Sequence, residues 1–98
     1  MSEVLGGAEV DAALERGHLA WRREDDAIVR VVDCGDFAGA LAFVNRVGAL
    51  AEEADHHPDV DIRWRTVTLH LSTHSAGGVT RRDLELAARI DALDGAEG

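Results

Sequence analysis

The sequence predicts an α+β domain: a four-stranded antiparallel sheet with three helices on one face, in the order αββαββα. Three observations lead there. Val60, Ile62 and Trp64, then Val67, Leu69, Leu71 and Thr73, alternate with polar residues, the period of strands that bury one face. "AIVRVVD" at 27–33 is dense in β-branched side chains. Between these stretches, residues 37–54 repeat apolar side chains at helical spacing.

Residues 1–7 end in Gly6-Gly7 and read as a tail, 8–94 as one domain, and 95–98 as a second tail. Val10, Ala13 and Leu14 fall at i, i+3 and i+4 of a short helix over 9–16, which Gly17 stops. "HLAWRRE" at 18–24 and the run at 27–33 are strands joined by a break at Asp25-Asp26. Asp36 is the expected N-cap of the helix over 37–54. In that helix Phe37, Leu41, Val44, Gly48 and Ala51 form one stripe, widened by Ala40, Phe43, Val47, Leu50 and Ala54. So broad a stripe suits a helix that lies on a sheet and also touches a second subunit. The helix must end near Asp55, because His57 precedes Pro58 and is pushed out of the α region. Strands over 60–64 and 66–74 follow, then a turn at "SAGG". Thr80 and Asp83 have capping-box spacing and open a last helix from 81 to about 93.

Composition narrows the function. Ninety-eight residues with 46% hydrophobic content fit one globular domain and exclude a disordered chain. The aromatics are Trp21, Trp64, Phe37 and Phe43, so Val, Leu, Ile and Ala build the core, and a core this small gains from self-association. The net charge of −9 has the wrong sign for a nucleic-acid backbone, and the pairs Arg22-Arg23 and Arg81-Arg82 lie among acids. The lone Cys34 forms no internal disulfide and reads as a small buried hydrophobe rather than a nucleophile. No apolar run approaches the ~18 residues that span a bilayer. "MSEVLGGAEVDAALERG" lacks the pattern of a secretory signal, so a cytoplasmic protein without membrane contact is expected.

Chemistry concentrates between 56 and 74, where His56, His57, His70 and His74 lie. Imidazole exchanges protons near neutrality, and Glu52, Asp55 and Asp83 are carboxylates able to fix ring tautomers. Each residue also has a plain structural use. His56 and His57 can close a helix, His70 can stand on a solvated strand face, and Asp83 can cap its own helix. His18 reads as surface. A Zn²⁺ or Fe²⁺ site is the rival reading. Against it, adjacent histidines in extended chain point to opposite sides. His70 and His74 on one strand face would stand about 13 Å apart, too far for one ion. Neither Ser72 nor Cys34 has a nucleophile's setting.

The spacing Glu52, three residues, His56-His57-Pro58, five residues, Trp64, nine residues, His74, eight residues, Asp83 resembles the signature of the pterin-4a-carbinolamine dehydratase family. So do "AW" at 20–21, "FVNRVGALAEEADHHPDVD" and "VTLHLSTHSAGGVTRRDLELAARID", and the likeness runs from about 8 to 93. The resemblance implies dehydration of a 4a-hydroxytetrahydropterin to a quinonoid dihydropterin, without metal or organic cofactor. It implies a homodimer or homotetramer built through helices and sheet edges. By position, His56 and His74 match the acid–base histidines and His57 the pterin-contacting one. Asp55, Ser72, Thr73 and Ser75 fall on segments that line the pterin. Glu52 and Asp83 match signature carboxylates that orient imidazoles or meet the substrate. Trp64 keeps the family's aromatic position. The family also holds non-catalytic assembly or regulatory proteins, in which histidine loss is expected; here none is lost.

Overall fold

The computed structural model describes residues 3–17 and 19–97, apart from the side chains of 94–97; His18 lies outside that range. The element order is α1 (Gly7–Arg16), β1 (Arg22–Glu24), β2 (Ala27–Asp33), α2 (Phe37–Ala54), β3 (Asp59–Arg63), β4 (Thr66–Leu71) and α3 (Arg81–Glu97), the predicted αββαββα. The strands form one antiparallel sheet in the order β1-β2-β4-β3. Register pairs Ile28 with Leu71, Val32 with Val67, and Ile62 with Val67, so the alternating apolar residues share one face. Val10 and Leu14 of α1, Ala40, Phe43 and Val47 of α2, and Leu86, Ala87 and Ile90 of α3 pack on that face with Ile28, Val67, Leu69 and Leu71. All three helices therefore cover the same side of the sheet.

Several boundaries differ from the sequence pattern, each for a physical reason. The strand expected over 18–24 is confined to Arg22–Glu24. Upstream of it, Ala20 N and Trp21 Nε1 donate to the Asp91 carboxylate at 2.9 and 2.8 Å, so these groups bond to α3 rather than to a sheet neighbour. Asp91 also takes Arg30 Nη1 at 2.7 Å, which satisfies the one charged residue on the inner face of β2. Trp64, expected inward with Val60 and Ile62, sits in the β3–β4 turn at φ 54° and is 69% exposed. There it lies under the Arg65 guanidinium, 5.2 Å from ring centroid to Cζ. β4 ends at Leu71 rather than His74, because Thr73 bridges Gly78 across a tight turn.

α2 buries Ala40, Phe43, Val47 and Ala51, whereas Phe37 and Leu41 of the broader stripe remain about half exposed. Asp36 caps it as expected, accepting from Gly39 N at 2.7 Å. The first turn is crowded: a Cβ on Gly39 would fall 2.3 Å from the Cys34 carbonyl oxygen. The segment before α1 is tied down, with Leu5 N donating to Val79 O at 2.8 Å.

Candidate functional site

Two helix ends build the site. α2 stops at Asp55, which adopts a left-handed conformation, φ 51° and ψ 46°. Asp55 N donates to Glu52 O and His56 N to Ala51 O, the paired bonds of a Schellman turn with aspartate in place of the usual glycine. That turn sends His56 inward, 8% exposed, and leaves His57 outside. The helix thus ends by its own capping turn just before Pro58.

At the other end, Thr80 and Asp83 form the predicted capping box. Thr80 Oγ1 accepts from Arg82 N at 3.2 Å, and Asp83 Oδ2 accepts from Thr80 N at 2.8 Å. Asp83 is fully buried, and its other oxygen, Oδ1, meets His56 Nε2 at 2.5 Å. One carboxylate therefore caps α3 and meets an imidazole from the turn after α2, so the two readings of Asp83 are compatible. Thr73 Oγ1 adds a 2.8 Å bond to Asp83 Oδ2 and a 2.7 Å bond to Thr80 Oγ1.

Asp55, His56, His57, Ser72, Thr73, His74, Ser75 and Arg82 line a cleft of about 240 Å³. That is just below the roughly 300–1,000 Å³ of drug-sized sites. His74 is exposed at the cleft, on the turn after β4. His57 Nε2 meets Glu52 Oε2 at 2.5 Å in an exposed pair, which places Glu52 behind His57 and outside the cleft lining. Ser72 Oγ donates to Asp26 O at 2.8 Å. His70 is excluded: it stands on the opposite sheet face, between Val29 and Asp59.

Arg82 escaped the sequence pattern. It lines the cleft, and its Nη2 donates to Asp55 O at 2.6 Å, holding the left-handed residue in place. Twenty-seven residues separate the two, so no local spacing could signal the contact. Among the described residues, no group of three His, Cys, Asp or Glu side chains is arranged to hold a metal ion.

A larger hollow of about 450 Å³ lies between β2 and α2, lined by Val32, Asp33, Cys34, Gly39, Ala42, Phe43 and Arg46. Burial pushes its Cys34 thiol up, with the neighbouring Asp33 carboxylate adding to the effect. A thiol held protonated is a poor nucleophile. The proton-exchanging groups converge in the smaller cleft, and chemistry rather than volume selects it.

Comparison with known proteins gives the same direction. The family model described as Pterin 4 alpha carbinolamine dehydratase matches residues 3–93. A protein of Nocardia farcinica, named for that dehydratase by inference only, is 51% identical over 94% of this chain and 96% of its own. One from Roseiflexus castenholzii, named in the same way, is 49% identical over 95% of this chain and 99% of its own. A crystal structure of a transcriptional coactivator/pterin dehydratase from Brucella melitensis superposes with a TM-score of 0.84 at 33% identity, covering 92% of this chain and 97% of that one. A pterin dehydratase-like protein described as a RuBisCO assembly factor in the alpha-carboxysome has a TM-score of 0.65 at 28% identity, covering 81% and 94%.

Proposed function

Because the chain belongs to the pterin 4 alpha carbinolamine dehydratase family, we propose that it dehydrates a 4a-hydroxytetrahydropterin to the quinonoid dihydropterin. The observation that carries the reading is one cleft lined by two histidines on separate elements, His56 backed by the buried Asp83 and His74 on the turn after β4. Loss of water from C4a needs two proton transfers. The departing hydroxyl must be protonated, and the proton on the adjacent ring nitrogen must leave as its electron pair forms the C–N double bond. His56 and His74 are the groups able to carry these protons near neutral pH. His57, Asp55, Ser72 and Ser75 offer polar contacts to the ring edges. Glu52 acts through His57.

Turnover of 4a-hydroxytetrahydropterin above its spontaneous loss tests this. His56→Ala and His74→Ala should each lower kcat at least about tenfold, since positioned proton transfer contributes roughly 10²–10⁴. Wild-type rates in either variant would refute the assignment.

The same reading includes a cytoplasmic homodimer or homotetramer. No helix among the described residues is long and apolar enough to cross a membrane. The half-exposed Phe37 and Leu41 on α2 offer an apolar contact for a second copy, which sedimentation would detect. A second reading is a binding or assembly role on the same scaffold, favoured by the similar proteins described as a transcriptional coactivator and as a RuBisCO assembly factor. A folded wild-type chain without turnover would favour it.

A further inference from the structure

The turn that displays His74 is closed by its own main chain. Thr73 N donates to Gly78 O at 2.9 Å, and Thr73 O accepts from Ala76 N at 3.0 Å and Gly77 N at 2.9 Å. Gly77 N also donates to His74 O at 3.2 Å, and Gly77 sits at φ 81°, where the chain doubles back. His74, Ser75 and Gly77 are exposed, so burial of these residues does little to fix the turn.

A brace arrives from the other end of the chain. The segment before α1 crosses the turn: Leu5 N donates to Val79 O at 2.8 Å, and the Val4 side chain lies over Gly78. A Cβ on Gly78 would fall 2.9 Å from Val4 Cγ1, with Val4 Cγ2 at 3.7 Å and Val4 Cβ at 3.9 Å. Gly78 is buried and its φ is outside the left-handed region, so what excludes a side chain there is Val4 and not the backbone. Leu5 is itself anchored, packed against the hydrophobic core. Gly78 O is the acceptor for Thr73 N, so the contact is passed on to the residue next to His74.

We propose that Val4 is a positioning residue: with the Leu5 main chain it straps the 73–78 turn and so sets where His74 stands in the cleft. This rests on the dehydratase reading of the cleft. The strap works by shape, so it can be exchanged. Adding a methyl group at Gly78 must displace the turn, and trimming Val4 to its Cβ makes room for that methyl group again.

The test is a double-substitution cycle in the full chain, read by steady-state kinetics and by the ¹H–¹⁵N cross-peak of the His74 amide. A misplacement of about 1 Å away from the chemistry can cost about 10² in rate, so Gly78→Ala should lower kcat about tenfold or more. Its KM should stay within about threefold, and its His74 cross-peak should move. Val4→Ala combined with Gly78→Ala leaves the two Cβ atoms 3.9 Å apart, an ordinary contact. That double variant should return kcat to within about threefold of wild type and bring the His74 cross-peak back. Wild-type kcat in Gly78→Ala would overturn the proposal, since the strap and not the turn would then have given way. An equal loss in the single and double variants would overturn it too. Should Gly78→Ala not fold, backbone order parameters of the wild type decide: about 0.85 at Val4 and Leu5 supports a strap, and below about 0.6 overturns it. A cross-peak that moves and returns, in a chain whose wild type never turns over pterin, would support the strap and sink the dehydratase reading.

Discussion

Replacing Asp83 with asparagine separates the shape of this carboxylate from its chemistry. Asparagine offers one acceptor oxygen and one NH₂. Two donors, Thr73 Oγ1–H and Thr80 N–H, converge on the Oδ2 position and hold the acceptor there. The NH₂ must then face His56 Nε2, where Asp83 Oδ1 now stands at 2.5 Å. Two donors cannot share that contact, so His56 should move its proton to Nδ1, the ring nitrogen left to accept one from substrate under the proposed function. Loss of a positioned proton acceptor costs roughly 10²–10⁴ in rate, about 3–5 kcal/mol of barrier. The fold loses less. The cap on Thr80 N survives, and a charge-assisted bond worth about 1.5–3 kcal/mol becomes a neutral one worth about 1. Net destabilisation of about 0.5–2 kcal/mol lowers the Tm by about 2–16 °C in a domain of this size. Initial rates of 4a-hydroxytetrahydropterin loss, beside thermal unfolding by circular dichroism, measure both quantities. A folded Asp83→Asn protein with kcat within about threefold of wild type would refute the role given to His56.

Other sites give independent expectations. Asp91→Ala removes the carboxylate that accepts from Arg30 Nη1, Ala20 N and Trp21 Nε1. Denaturant unfolding should show a loss of about 1–3 kcal/mol, the cost of depriving buried donors of their acceptor, and a loss below about 0.5 would contradict that accounting. Gly39→Ala places a methyl group 2.3 Å from Cys34 O and should destabilise by about 1–3 kcal/mol. Gly48→Ala meets open space within α2 and should stabilise by about 0.5–1 kcal/mol; equal effects at the two positions would be inconsistent with these environments. The hydrogen bond from Arg65, then that from Gly35 N, holds the Asp33 carboxyl below its ordinary 3.8. A depressed pKa contributes stability that is present above 3.8 and disappears as pH falls through the lower folded value. Being exposed, the pair contributes little, and Asp33→Asn should slightly flatten the acid limb of a Tm–pH curve while leaving the neutral plateau in place.

What the sequence made legible is what local periodicity can encode. Val67, Leu69 and Leu71 alternate, and all three are fully buried; Asp36 and the Thr80–Asp83 spacing announce helix starts that the structure contains. The histidine cluster with its carboxylates was visible in the same way, and the cleft brings His56, His57 and His74 together. Misreadings arose where a distant group outcompeted the local pattern. Alternation carried Trp64 inward, but the chain turns there at positive φ and exposes it. The strand pattern at 18–24 yields to Asp91, about seventy residues away, which claims Ala20 N and Trp21 Nε1. Arg82 and the Thr73 hydroxyl have no periodic signature, because their partners come from other elements.

The site stands where two helices leave backbone groups unsatisfied, and this explains why so few residues suffice to build it. The N-terminus of α3 presents N–H groups that need caps and the positive end of its dipole, and the Asp83 carboxylate caps Thr80 N there. The C-terminus of α2 presents carbonyls and the negative end of its dipole, and there the Schellman turn at Asp55 delivers the His56 imidazole. Arg82 Nη2, from the first turn of α3, donates to Asp55 O, tying one helix end to the other. Under the proposed function, helix termination and proton chemistry draw on the same atoms. A substitution at Asp83 or Asp55 should then change stability and rate together, whereas His74, exposed on its turn, should be alterable with little cost to the fold. The two histidines should thus separate in experiment: His74→Ala as a kinetic lesion in a wild-type-stable protein, His56→Ala as a kinetic lesion that also leaves Asp83 Oδ1 buried without its partner.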